Sequence, residues 1–87
     1  MEWIAQKVVD DQYIVLAIVD GRLTIYITKT EWNGQIKIHM ENGKMIYEDI
    51  NGDVMLVYEE GEPEFKYYNK ITHFNNLPRR LMKNIIR

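Results

Sequence analysis

Four dipeptides, Asp20-Gly21, Asn33-Gly34, Asn42-Gly43 and Asn51-Gly52, constrain this chain more than any other feature. A two-residue hairpin loop of type I′ needs positive φ at both central positions, and Asp-Gly and Asn-Gly adopt it at the least steric cost. The last three recur at nine-residue intervals, and Gly61 follows Gly52 at the same interval. Strands of about seven residues therefore alternate with tight reversals, a meander too short in period and too varied in side chains for a solenoid. With Asp10-Asp11 as a weaker reversal upstream, strands are expected at 2–9, 12–19, 22–32, 35–41, 44–50, 53–60 and 63–72.

A two-residue loop also sets which residues face each other, and a slip of one residue turns a whole face over. The loops pair Trp3 with Ile18, Ile18 with Leu23, Ile27 with Met40, Met40 with Met45, Met45 with Tyr58, and Tyr58 with Phe65. One side then collects Trp3, Ala5, Ile14, Leu16, Ile18, Leu23, Ile25, Ile27, Ile36, Ile38, Met40, Met45, Tyr47, Val54, Leu56, Tyr58, Phe65, Tyr67 and Ile71 at period two. At about 2 kcal/mol per large side chain removed from water, such a face has to be covered. After residue 74, Asn75 or Asn76 can cap a helix with Pro78 in its first turn and Leu77, Leu81, Met82 and Ile85 at helical spacing. The expectation is a mainly all-β fold: a seven-stranded antiparallel meander curled into a half-barrel, with one C-terminal amphipathic basic α-helix over 76–87 closing it. Residues 1–87 are expected to form a single domain, since so short a chain supports one core.

The opposite face is uneven. Over strands 4 to 7 it is polar apart from Ile46, Met55 and Val57, whereas over strands 1 to 3 it carries Ile4, Val8, Tyr13, Val15, Ala17, Val19, Tyr26 and Trp32. That set is too apolar for water, so the helix, a twist of the barrel or a second chain must cover it.

Charge is segregated beneath a net value of -2. Residues 1–40 sum to -1, residues 41–64 to -7, and residues 65–87 to +6. The acidic block holds Glu48, Asp49, Asp53, Glu59, Glu60, Glu62 and Glu64, and the basic end holds Arg79, Arg80, Lys83 and Arg87. Both are candidate interaction surfaces, and Tyr13, Val15, Tyr26 and Trp32 are the candidate apolar contacts.

Chemistry leaves little trace. The chain has no serine and no cysteine, which removes the commonest nucleophiles and any thiolate metal site. His39 and His73 fall on different elements with no neighbouring ligand, the threonines read as strand formers, and all five glycines are taken by turns, leaving no phosphate loop. No catalytic, cofactor or metal residue is assigned. The N-terminal residues lack the basic and apolar regions of a leader, and no apolar run is long enough for a membrane span. Absent cysteines favour the cytoplasm.

These features point to a non-enzymatic protein-interaction module, in particular an inhibitor or regulator that binds a basic surface through acidic hairpins. The partner is another protein, with a homodimer as one form of that contact. Two other readings remain open: a carrier of a small ligand or nucleotide with sites between protomers, and a binder of single-stranded nucleic acid through the basic helix. An acidic body that repels a polyanion counts against the last.

Overall fold

The computed structural model describes residues 2–77. Its elements are strands β1 (Glu2–Val9), β2 (Gln12–Val19), β3 (Arg22–Thr28), β4 (Lys37–Glu41), β5 (Lys44–Glu48) and β6 (Leu56–Glu59), followed by helix α1 (Pro63–Thr72) and a 3-10 turn at Phe74–Asn76. The described residues are mostly β with one α-helix, and they form six strands where seven were expected. A four-stranded antiparallel sheet has the order β1-β2-β3-β6, and β4 and β5 form a separate two-stranded sheet. Among the described residues no sheet closes into a barrel, and two separate sheets stand in place of the single curled half-barrel expected.

Backbone sign decides which reversals become hairpins. Both central residues have positive φ at Asp10-Asp11 (50° and 63°), Asp20-Gly21 (50° and 79°) and Asn42-Gly43 (50° and 78°), and these three turns join β1 to β2, β2 to β3 and β4 to β5. The expected pairs Ile18 with Leu23 and Met40 with Met45 are present. Asn33 and Asn51 do not adopt positive φ, so at those dipeptides only the glycine does.

Strand β3 accordingly stops at Thr28, not at residue 32. The Thr28 hydroxyl donates to the Thr30 carbonyl at 2.6 Å, the Trp32 amide donates to Oε1 of Gln6 at 2.9 Å, and the Trp32 indole donates to the Gln35 carbonyl at 2.8 Å. These bonds draw residues 29–36 out of the sheet and lay Trp32 across it. Ile27 therefore pairs with Leu56 rather than Met40, and Ile25 pairs with Tyr58. The β4–β5 hairpin becomes an excursion between β3 and β6.

The segment expected as a seventh strand is helix α1. Pro63 sits in its first turn, where a missing N–H costs nothing, and Glu64 and Lys70 lie at the ends where their charges suit the helix dipole. Phe65, Tyr68, Ile71 and Thr72 share its inner face, with Phe65 and Thr72 buried and Tyr68 and Ile71 packed on the core. Tyr67, expected inside with Phe65, is 58% exposed. His73 ends the helix in the left-handed region and Phe74, fully buried, follows it into the core. The expected helix over 76–87 lies, from Pro78 onward, outside the described residues.

Two apolar clusters result, one on each face of the four-stranded sheet. Ile14, Leu16, Leu23, Ile25 and Ile27 meet Phe65 and Phe74 under α1. Val15, Ala17 and Tyr26 meet Trp32 and Met55 on the other side, with Ile36, Tyr47, Val19 and Val57 around them. Val15, Ala17, Val19, Tyr26 and Trp32 of the face too apolar for water are thus covered by the chain's own loops and hairpin, while Val8 stays 60% exposed and Ile4 packs on the first cluster. Trp3 belongs with this second side: a register shift between Trp3 and Ala5 pairs Trp3 with Ala17 instead of Ile18, and its ring meets Trp32 edge-on at 6.2 Å.

Candidate functional site

Folding distributes the sequence candidates unequally. Val15, Tyr26 and Trp32 are buried in the second cluster, where they serve the core. Tyr13 is half-buried on β2 opposite Val8 and Thr28. Arg79, Arg80, Lys83 and Arg87 lie outside the described residues.

The acidic block divides between two turns. Asp49 is 2% exposed, and its carboxylate organises the β5–β6 connection. Oδ1 accepts from the amides of Asn51 and Asp53, both at 2.9 Å, and Oδ2 accepts from the Thr30 hydroxyl at 3.2 Å. Asp49 is a turn-former and not a contact for a partner. Glu48, on β5, lies 3.4 Å from Nδ1 of His39, whose Nε2 is 3.6 Å from Glu41. Asp53 is half-buried in the same turn.

Glu59, Glu60, Glu62 and Glu64 gather at the β6–α1 turn, all exposed. The Glu62 carboxylate folds back to accept from the Glu59 amide at 2.6 Å, and the Glu62 amide donates to the Glu59 carbonyl at 3.1 Å. Glu59 also sits 3.6 Å from Arg22, both side chains largely in solvent. Behind this turn Tyr58 stacks on Tyr68 with centroids 5.8 Å apart. Burial, then Tyr68, Glu64 and Glu62, raise the Tyr58 phenol above its ordinary pKa.

The β4–β5 hairpin is the least covered element. All of β4 is exposed, and Ile38, Met40 and Met45 are 56%, 62% and 53% exposed. They share one face with Tyr47, because Ile38 pairs with Tyr47 and Met40 with Met45. Tyr47 anchors that face to the second cluster, 6.4 Å from the Tyr26 ring. Expected in the core, Ile38, Met40 and Met45 instead overhang it, since β4 pairs with β5 alone and not with β3.

Under the hairpin runs a groove of about 690 Å³ whose walls include Val19, Ile36, Ile38, Tyr47 and Val57 and whose lining also takes in Thr24, Tyr26, Asp20, Lys37 and Glu59. Burial, with Tyr47 and Glu59 adding to it, pushes the Tyr26 phenol up to about 12; like any phenol it carries its proton at neutral pH. The sequence marks Thr24 and Tyr26 only as members of the alternation Arg22, Thr24, Tyr26, Thr28, a pattern that good strand formers also produce. A smaller recess of about 470 Å³ lies at the acidic turn, between Glu60, Gly61 and the start of α1.

Among the described residues no group of three His, Asp or Glu side chains is placed to hold a metal ion, and no helix is long and apolar enough to cross a membrane. In comparison with known proteins, no family model, no curated protein and no solved structure matches the chain.

Proposed function

We propose that this chain is a non-enzymatic protein-interaction module of the cytoplasm, and that its working surface is the β4–β5 hairpin together with the acidic turns that follow it. The observation that carries the reading is the exposure of Ile38, Met40 and Met45 together on one face of a hairpin, in a chain whose four-stranded sheet packs an apolar cluster on each side. Methionines adapt their shape to a partner at little cost, and they supply the apolar contact area. Glu41, Glu48, Glu59, Glu60, Glu62 and Glu64 add negative charge to the surface of the same segment. Acids of this number steer association with a basic partner and select against acidic ones. The partner is therefore a protein surface that joins apolar and basic groups, and the chain acts on it by occupying it, as an inhibitor or regulator does. The lack of serine and cysteine nucleophiles supports occupation over catalysis.

Affinity capture from cells with three baits tests this: the wild-type chain, the M40K/M45K variant and the E59K/E60K/E62K variant. A basic protein retained by the wild type at low salt, and lost from both variants, is the expected result. Identical retention on all three baits refutes the proposal. Light scattering on the isolated chain separates a second copy from a different partner, because a dimer that M40K/M45K dissolves makes the hairpin face a homodimer contact.

A further inference from the structure

The groove between the β4–β5 hairpin and the four-stranded sheet contains polar groups that the other described residues leave unused. Thr24 and Tyr26 are each 3% exposed and line it side by side on β3. Among the described residues neither hydroxyl has a hydrogen-bond partner, yet neither is sealed from solvent. A buried hydroxyl without a partner costs free energy, so fully enclosed ones are nearly always paired. Here both residues line a space of about 690 Å³, within the size range of small-molecule sites.

The rest of the lining narrows the class of occupant. Val19, Ile36, Ile38 and Val57 make it mainly apolar, and Tyr47 adds an aromatic wall. The charges at its rim balance: Glu59 is paired with Arg22 at 3.6 Å, and Lys37 stands opposite Asp20 in sign. A cation or an anion gains little from such a rim. The protonated Tyr26 phenol is a donor at neutral pH, and the Thr24 hydroxyl is free to donate as well.

The geometry points to a binding site for a small uncharged ligand with a flat apolar body and a hydrogen-bond acceptor, such as an aryl ketone or amide, held by the Thr24 and Tyr26 hydroxyls on the groove floor. The ligand site shares a wall with the proposed protein-binding face but requires no protein partner. Ile38 belongs to both, as its side chain closes the groove and its hairpin carries the exposed methionines.

Acetylnaphthalene and ethylnaphthalene have nearly the same shape, and only the ketone carries an acceptor. Titrating each into the isotope-labelled chain and following amide and methyl resonances reads both affinity and location. The ketone is expected to move Thr24, Tyr26, Ile38 and Val57 and to bind about threefold to tenfold tighter than the hydrocarbon, the worth of one or two net hydrogen bonds. The Y26F and T24V variants keep the shape of the floor and remove one hydroxyl each, so the preference shrinks in either and vanishes in the double variant. Because the shift map and the ketone preference are read on the wild type, a variant that fails to fold does not remove the test. The inference is overturned by shifts that fall outside the groove, by equal affinity for the two probes, by absence of binding, or by a ketone preference that survives both substitutions.

Discussion

Asp11 holds φ at 63° in the first hairpin turn, a position where an L side chain is crowded and glycine is not. In the equivalent positions of the other two hairpins the chain uses Gly21 and Gly43. D11G is therefore expected to stabilise the fold by about 0.5 to 1 kcal/mol, seen as a rise of several degrees in thermal midpoint, because relief of strain exceeds the entropy lost by glycine. A lower midpoint would mean that the Asp11 side chain supplies more than its backbone costs. Asp49 makes the opposite case. Its carboxylate accepts two backbone amides and the Thr30 hydroxyl while 2% exposed, so D49A leaves donors unmet and is expected to cost about 2 kcal/mol in urea unfolding. E59A removes only a solvent-exposed pair with Arg22 at 3.6 Å and is expected to cost less than about 0.5 kcal/mol. Equal losses for the two acids would contradict the division of the acidic block into a turn-former and a surface. Tyr26 adds a pH dependence. Its folded pKa of about 12 exceeds the ordinary value of 10.0, so between those values the unfolded chain releases the proton and the folded chain keeps it. Stability owed to this group is complete below pH 10 and falls as pH rises toward 12. Subtracting the phenolate absorbance of Y26F from that of the wild type isolates this titration, and a difference midpoint near 10 would show that the ring is not enclosed.

At the scale of elements, helix α1 and the strand expected in its place make different demands on the same residues. A strand puts Phe65 and Tyr67 on one face, whereas a helix puts Phe65 with Tyr68 and Ile71 and turns Tyr67 outward. F65A is accordingly expected to cost about 3 to 5 kcal/mol and Y67A less than about 1 kcal/mol, as measured by denaturant midpoints at constant slope. Comparable losses would restore the strand. The residues themselves explain why the pattern reads as a strand: Tyr67 and Tyr68 are adjacent, so a period of two and a period of 3.6 both find an aromatic. Pro63 after Glu62, and Glu64 in the first turn, were the signals that favoured the helix. The three true hairpins were legible because type I′ geometry is local chemistry, settled by two residues. Asn33-Gly34 and Asn51-Gly52 have the same local chemistry but lose to longer-range partners. Trp32 is drawn onto Tyr26 with centroids 5.7 Å apart, and Gly34 packs where a Cβ would stand 3.5 Å from the Trp3 indole. In the other, Thr30 binds the Asp49 carboxylate and accepts from the Asn51 side-chain amide, both at 3.2 Å, while Asp49 captures the Asn51 backbone amide. The pairing of β3 with β6 spans the whole β4–β5 excursion, and no periodicity within either strand encodes such a choice of neighbour. The candidate site was less legible than the fold for the same reason. Ile38, Met40 and Met45 read as core until β4 is seen to lack β3 beside it, and Tyr26 and Trp32 read as surface until Trp32 is seen to close over the sheet.

On the scale of the whole molecule, stability and exposure are divided unevenly between the two sheets. The four-stranded sheet is buried on one face by Phe65 and Phe74 and on the other by Trp32 and Met55, whereas β4 is exposed along its length. A two-stranded ribbon in water is marginal by itself, and this one is tied down through Tyr47, the Met55 amide bonded to the Tyr47 carbonyl at 2.8 Å, and the bridge between Glu48 and Val54. All three ties lie at the open end of the hairpin, away from the Asn42-Gly43 tip. The hairpin is therefore expected to open locally, tip first, at a free energy well below that of global unfolding, while β2 and β3 exchange only through the global event. Native-state hydrogen exchange across a denaturant series measures this directly. Amides paired between Met40 and Met45 are expected to show low, denaturant-independent opening energies, and those of Leu16 and Ile25 the full unfolding energy. If the two sets merge into one isotherm, the hairpin belongs to the same cooperative unit as the sheet and its exposed apolar face is a rigid platform. If they separate, binding at Ile38, Met40 and Met45 must supply the order that the isolated hairpin lacks, and a genuine partner will raise hairpin protection without altering that of β2. A candidate partner that leaves hairpin exchange unchanged does not use this surface, whatever its affinity for the chain.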